Sequence, residues 1–95
     1  MKHHILVKWK EKPADCEALN REIEALFQDV LRVQGVHRVE VIPNVVNRPN
    51  HYDLLIAITM DPDALTRYDA CEAHHRWKAQ YGDRIAGKAI FDSEQ

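Results

Sequence analysis

The sequence predicts an α+β fold, with one four-stranded antiparallel sheet and helices packed on one of its faces. Two observations carry this expectation. Four segments, His3–Lys10, Val36–Ile42, Tyr52–Met60 and Arg84–Asp92, read as strands. Between them, residues 14–33 and 62–81 switch to the three- and four-residue spacing of helices. The resulting order is strand, helix, strand, strand, helices, strand. That is the split β-α-β arrangement of ferredoxin-like folds.

The chain has 95 residues, which corresponds to one small domain spanning 1–95. Its net charge is −2 and 45% of its residues are apolar, the balance of a folded globule. There is no basic surplus, so nucleic acid is not an expected partner. The longest apolar runs, such as Leu54–Ile58, are too short to span a bilayer, and no membrane partner is expected. The start, MKHHILVKW, has neither the hydrophobic region nor the cleavage site of a secretory signal, so a cytoplasmic location is the expectation. Cys16 and Cys71 lie far apart and are expected to be reduced.

Each element has its own justification. In the first strand Ile5, Val7 and Trp9 share one parity with His3, while His4, Leu6, Lys8 and Lys10 share the other. Pro13 then breaks the ladder. In the first helix, from Ala14 to about Val33, Cys16, Leu19, Ile23, Leu26, Phe27, Val30 and Leu31 form an apolar stripe. Asp15 is its expected N-cap and Gly35 its stop. The strand Val36–Ile42 alternates and ends at Pro43. An Asn-rich loop follows, and then the nearly all-apolar third strand, which is expected in the middle of the sheet. Asp61 and Pro62 open a short helix to about Tyr68, and Asp69 with Glu72 has capping-box spacing for a second helix, Ala70–Tyr81, stopped by Gly82. Leu6 and the third strand leave apolar groups on the far sheet face. A chain this short has nothing left to cover that face, so a partner subunit, and hence a homodimer through the sheet, is expected.

The last helix carries the candidate chemistry. Ala70, Ala73, His74, Trp77 and Tyr81 recur at steps of three and four and share one face, whereas His75 lies off it. Cys71 and His75 have the spacing of two metal ligands, but no third ligand is evident, and a surface histidine is the simpler reading of His75. Tyr68 sits just before the helix, and His3 lies on the inward parity of a central strand. These three polar groups can therefore meet between sheet and helices, where a buried histidine needs a partner.

These residues resemble the stress-responsive dimeric α/β-barrel (Dabb) family over nearly the whole chain. The opening strand matches at His3, Lys8, Trp9 and Lys10, the middle at Gly35, Val36 and Asn44, and the third strand at Tyr52 and Asp53. The family's Tyr-x-x-His-Pro-x-His motif reads YDACEAH here. Tyr68 and His74 are kept, while Cys71 and Glu72 replace His and Pro. The resemblance implies a dimeric α/β barrel. It also implies, by likeness to the plant polyketide cyclase that makes olivetolic acid, a catalytic set in which His74 is the base, Tyr68 the orienting donor and His3 an auxiliary group. That chemistry needs no metal or organic cofactor, and its ligand would be a small apolar or polyketide-like molecule. Two other readings stay open: a non-catalytic dimeric module of the stress response, and a cofactor-free monooxygenase sharing the barrel.

Overall fold

The structure, a computed structural model, describes residues 1–94 and contains the strands and helices in the expected order. Strand alternation builds the sheet. β1 (Lys2–Trp9) buries His3, Ile5, Val7 and Trp9, and turns the residues between them to the other face. β2 (Val36–Pro43), β3 (Leu54–Met60) and β4 (Ile85–Ser93) complete an antiparallel sheet in the order β2-β3-β1-β4. β1 is therefore interior. Its register sets His3 between Ile58 and Asp92, Ile5 between Ile56 and Ile90, and Val7 between Leu54 and Lys88.

The helices cover that same face. α1 (Cys16–Gln28) starts where the Asp15 carboxylate accepts the Ala18 N–H at 3.0 Å, and it buries Leu19, Ile23, Leu26 and Phe27. Burial of each such side chain contributes about 1.5–3 kcal/mol. The first helix is shorter than its periodicity suggests. After Gln28 the backbone tightens into a 3-10 turn, Asp29–Arg32, with fewer residues per turn, and the stripe rotates out of phase. Val30 stays buried, whereas Leu31 is 40% exposed and Cys16 lies in the open at the other end.

β3 begins at Leu54 rather than Tyr52, because the preceding residues bind backbone elsewhere. The Asp53 N–H donates to the Val7 carbonyl, and the Asp53 carboxylate accepts the Trp9 N–H at 2.9 Å. α2 (Ala64–Ala70) and α3 (Glu72–Tyr81) follow. The Asp61 carboxylate does not cap α2. It pairs with His37 at 2.9 Å. Ala70 closes α2 and is exposed, so it does not belong to the α3 stripe of Ala73, Trp77 and Tyr81. Gly82 keeps a right-handed φ of −54° and leads into a 3-10 turn, Gly82–Arg84. Among the described residues no helix is long and apolar enough to cross a membrane.

One glycine fixes how α2 docks. Gly35 has φ +92°, and a Cβ added there would stand 2.9 Å from the Ala64 Cβ. The Gly35 carbonyl accepts the Asp61 N–H at 2.8 Å, tying the start of β2 to the approach to α2. Gly35→Ala is expected to lower the unfolding free energy by about 2 kcal/mol, combining left-handed strain with the clash. Urea denaturation followed by circular dichroism measures it.

Candidate active site

The site is built where the last two helices break apart. α2 ends at Ala70, and Cys71 takes an extended ψ of 157° before α3 begins. The N-cap of α3 is thus Cys71, whose sulfur accepts the His74 N–H at 3.4 Å, and not the Asp69–Glu72 box. A helix end leaves its last carbonyls without intrahelical partners. His74 takes one of them: its Nδ1–H donates to the Asp69 carbonyl at 2.9 Å. That bond fixes the tautomer and leaves Nε2 as an acceptor.

Tyr68 lies one turn before the break, its ring centroid 4.8 Å from that of His74 and 5.5 Å from that of His3. The structure thus brings all three sequence-selected residues together, with Tyr68 between the two imidazoles. Tyr68 is 1% exposed, and its hydroxyl has no hydrogen-bond partner among the described residues. His3 is buried from the sheet side, and its Nδ1–H donates to Asp92 Oδ1 at 2.5 Å.

These groups line a pocket of about 320 Å³. Ile5, Leu65, Trp77 and Ile90 form its apolar wall, and Asp69, Lys88 and Asp92 join the two histidines and Tyr68 as its polar lining. A larger concavity of about 530 Å³ at Lys10–Ala14, Asp83 and Arg84 is bounded mostly by exposed loop side chains. His75 is exposed, and among the described residues no cluster of three or more His, Cys, Asp or Glu could hold a metal ion.

No family model matches the chain, and no curated protein matches it. Solved structures do. A Dabb family protein with a ferredoxin-like fold from Mesorhizobium loti superposes with a TM-score of 0.71 at 15% identity, covering 99% of this chain and 94% of that one. The chain has the Dabb fold. A dimeric ferredoxin-like protein of unknown function from Thermobifida fusca matches with a TM-score of 0.74 at 11% identity, over 95% of this chain and 85% of that one. A candidate antibiotic biosynthesis monooxygenase from Bacteroides thetaiotaomicron gives 0.66 at 16% identity, over 100% of this chain and 88% of that one.

Within the Dabb fold two pocket residues went unselected in the sequence, Lys88 and Asp92. Both stand on the helix-facing parity of β4, in register with Val7 and His3. A polar residue on the inward parity of a strand was the available signal, but β4 lies at the sheet edge and its alternation is blurred by exposed Ile90 and Phe91.

The electrostatics favour a neutral imidazole beside a protonated phenol. Burial lowers the His74 pKa below the usual histidine value, with Lys78 and Lys88 adding to the effect and Asp69 opposing it. Burial, reinforced by Cys71 and Asp69, pushes the Tyr68 hydroxyl far above its ordinary range, so it stays a donor. A depressed histidine binds fewer protons folded than unfolded. Its contribution to stability is therefore full above pH ~6.5 and is lost as pH falls below that value and through the lower pKa of the folded state. Thermal melts from neutral to mildly acidic pH are expected to show this fall in the native chain, and a shallower one in His74→Gln.

Proposed function

We propose that the chain is a Dabb-family homodimer that binds a small molecule in the His3–Tyr68–His74 pocket and acts on it by cofactor-independent acid–base chemistry, of the kind that polyketide cyclisation requires. The observation that carries this reading is the Tyr68 hydroxyl, which is buried, unpartnered and flanked by two imidazoles. Leaving a buried hydroxyl unpaired costs about 1–3 kcal/mol, so a ligand oxygen that completes its bonding gives the arrangement a reason.

In this reading His74 Nε2 takes a proton from carbon flanked by carbonyls. The C–H electron pair moves onto a carbonyl oxygen as the enolate forms, and the Tyr68 O–H donates to that oxygen. His3, held by Asp92, is the auxiliary polar group, and Trp77 with Ile5 and Ile90 supplies the apolar wall.

The test is deuterium exchange at the central methylene of acetylacetone in D2O, followed by proton NMR. The native chain is expected to accelerate exchange, with the rate falling as pH drops below the histidine range. His74→Gln is expected to lose about a hundredfold or more of that acceleration. Tyr68→Phe is expected to lose at least about tenfold while melting at the same temperature or higher, because it removes an unpaired buried hydroxyl. An unchanged rate in His74→Gln would leave the non-catalytic module as the reading.

The homodimer takes its support from the far face of the sheet. Leu6, Leu55, Ile42, Ala89 and Phe91 lie there by register, with Phe91 65% and Ile42 44% exposed. An apolar sheet face of this kind is a common place for subunits to meet, and the Thermobifida fusca neighbour is described as dimeric. Sedimentation is expected to give a dimer for the native chain and a monomer for Leu6→Glu. A native monomer at micromolar concentration would contradict the proposal.

A second reading follows from the Bacteroides neighbour. The same carbanion could pass its electrons to molecular oxygen as co-substrate. Oxygen uptake in the same assay separates that reading from simple proton transfer.

A further inference from the structure

We propose that Lys88 makes the pocket an anion site, and that its ligand is an enolisable carbonyl compound carrying a carboxylate. This deepens the reading of His74 and Tyr68 given above and rests on it.

The first observation is position. The helix-facing row of β4 runs Lys88, Ile90, Asp92, in register with Val7, Ile5 and His3. A lysine thus stands on the helix-facing row of β4, exposed at the sheet edge, with a fully buried valine as its cross-strand neighbour. Its side chain borders the pocket together with His74, Tyr68 and Trp77.

The second observation is pairing. Asp92, the carboxylate two residues along the same row, is engaged by His3 at 2.5 Å. Among the described residues Lys88 has no carboxylate within 4.0 Å, that of Asp69, which also lines the pocket, included. The pocket therefore offers one unpaired donor cation beside a neutral base and an unpartnered phenol.

The third observation is the charge that proton transfer creates. When Nε2 accepts a proton, His74 becomes a cation in the field of Lys88, which already disfavours its charged form. A ligand that brings a carboxylate to Lys88 offsets that repulsion, and the enolate formed on deprotonation offsets it further. A neutral ligand supplies only the second of these. The volume of about 320 Å³ suits a small acid, near the lower end of the ~300–1,000 Å³ range of ligand pockets.

The experiment compares acetopyruvate with its methyl ester, which replaces the carboxylate charge by one methyl group, each titrated calorimetrically into the native chain. The acid is expected to bind about three- to fivefold tighter than the ester, as one solvated ion pair permits, with the preference shrinking as salt is raised. Lys88→Met is expected to bring the ratio near one, Lys88→Arg to keep it, and Asp69→Asn to tighten the acid alone. Lys88 is exposed, so these variants are expected to fold normally. Equal binding of acid and ester, a preference that survives in Lys88→Met, or no binding of either probe overturns the proposal. If both probes bind in a manner that depends on Tyr68 and His74 yet the acid is not preferred, the Lys88 assignment falls and the acid–base reading stands. If the acid is preferred through Lys88 while Tyr68→Phe and His74→Gln bind and exchange as the native chain does, the acid–base reading falls and the anion site stands.

Discussion

A single freed carbonyl organises the site. Had the helix run on through Cys71, the Asp69 carbonyl would have accepted an N–H one turn ahead, and the His74 ring would have had no fixed acceptor there. The extended ψ at Cys71 ends α2, opens that carbonyl and starts α3 in one step. The ring of His74 closes the bond, and its tautomer, orientation and available lone pair follow. Tyr68, one turn before the break, is carried to within ring-contact distance of it. The His74 ring and the Tyr68 hydroxyl are thus placed by local backbone geometry, which is more rigid than a loop.

The sheet supplies the other half. An interior strand with strict alternation puts His3 on the same buried row as Ile5 and Val7. Antiparallel register then delivers Asp92 from β4 to its ring nitrogen. Each imidazole is held by an oxygen at Nδ1, one from a helix end and one from a strand, and the phenol sits between them with its hydroxyl unpaired. In a purely structural core that hydroxyl would be a defect, since the large majority of buried side-chain polar atoms are paired. Local departures of this kind concentrate at functional sites, where stability is traded for a prepared surface.

Much of this was legible in the sequence because two of its signals are strong. Period-two alternation in β1 and the three- and four-residue stripe of α1 fix which faces are buried, and element order fixes the sheet. The inward parity of His3 and the pairing of Tyr68 with His74 follow from the same patterns. Other features were not legible, for physical reasons. Leu31 falls on the apolar stripe yet is exposed, because periodicity does not show where a helix tightens into a 3-10 turn. Asp69 and Glu72 had the spacing of a cap, but the break fell two residues later, where a cysteine sulfur serves as a weak acceptor. Lys88 and Asp92 reach the pocket only through cross-strand register at a sheet edge, which one strand's sequence does not encode. Cys71 and Glu72, which stand where the Dabb pattern has His and Pro, mark the very place at which the helices part.

The central claim is that burial keeps His74 a neutral imidazole and that the Asp69 carbonyl fixes its one ring proton at Nδ1. Nitrogen-15 NMR of the histidine ring, assigned through His74→Gln, reads this directly at neutral pH. The account predicts a protonated Nδ1 and a bare Nε2. A ring protonated at Nε2 alone, or at both nitrogens, would contradict it.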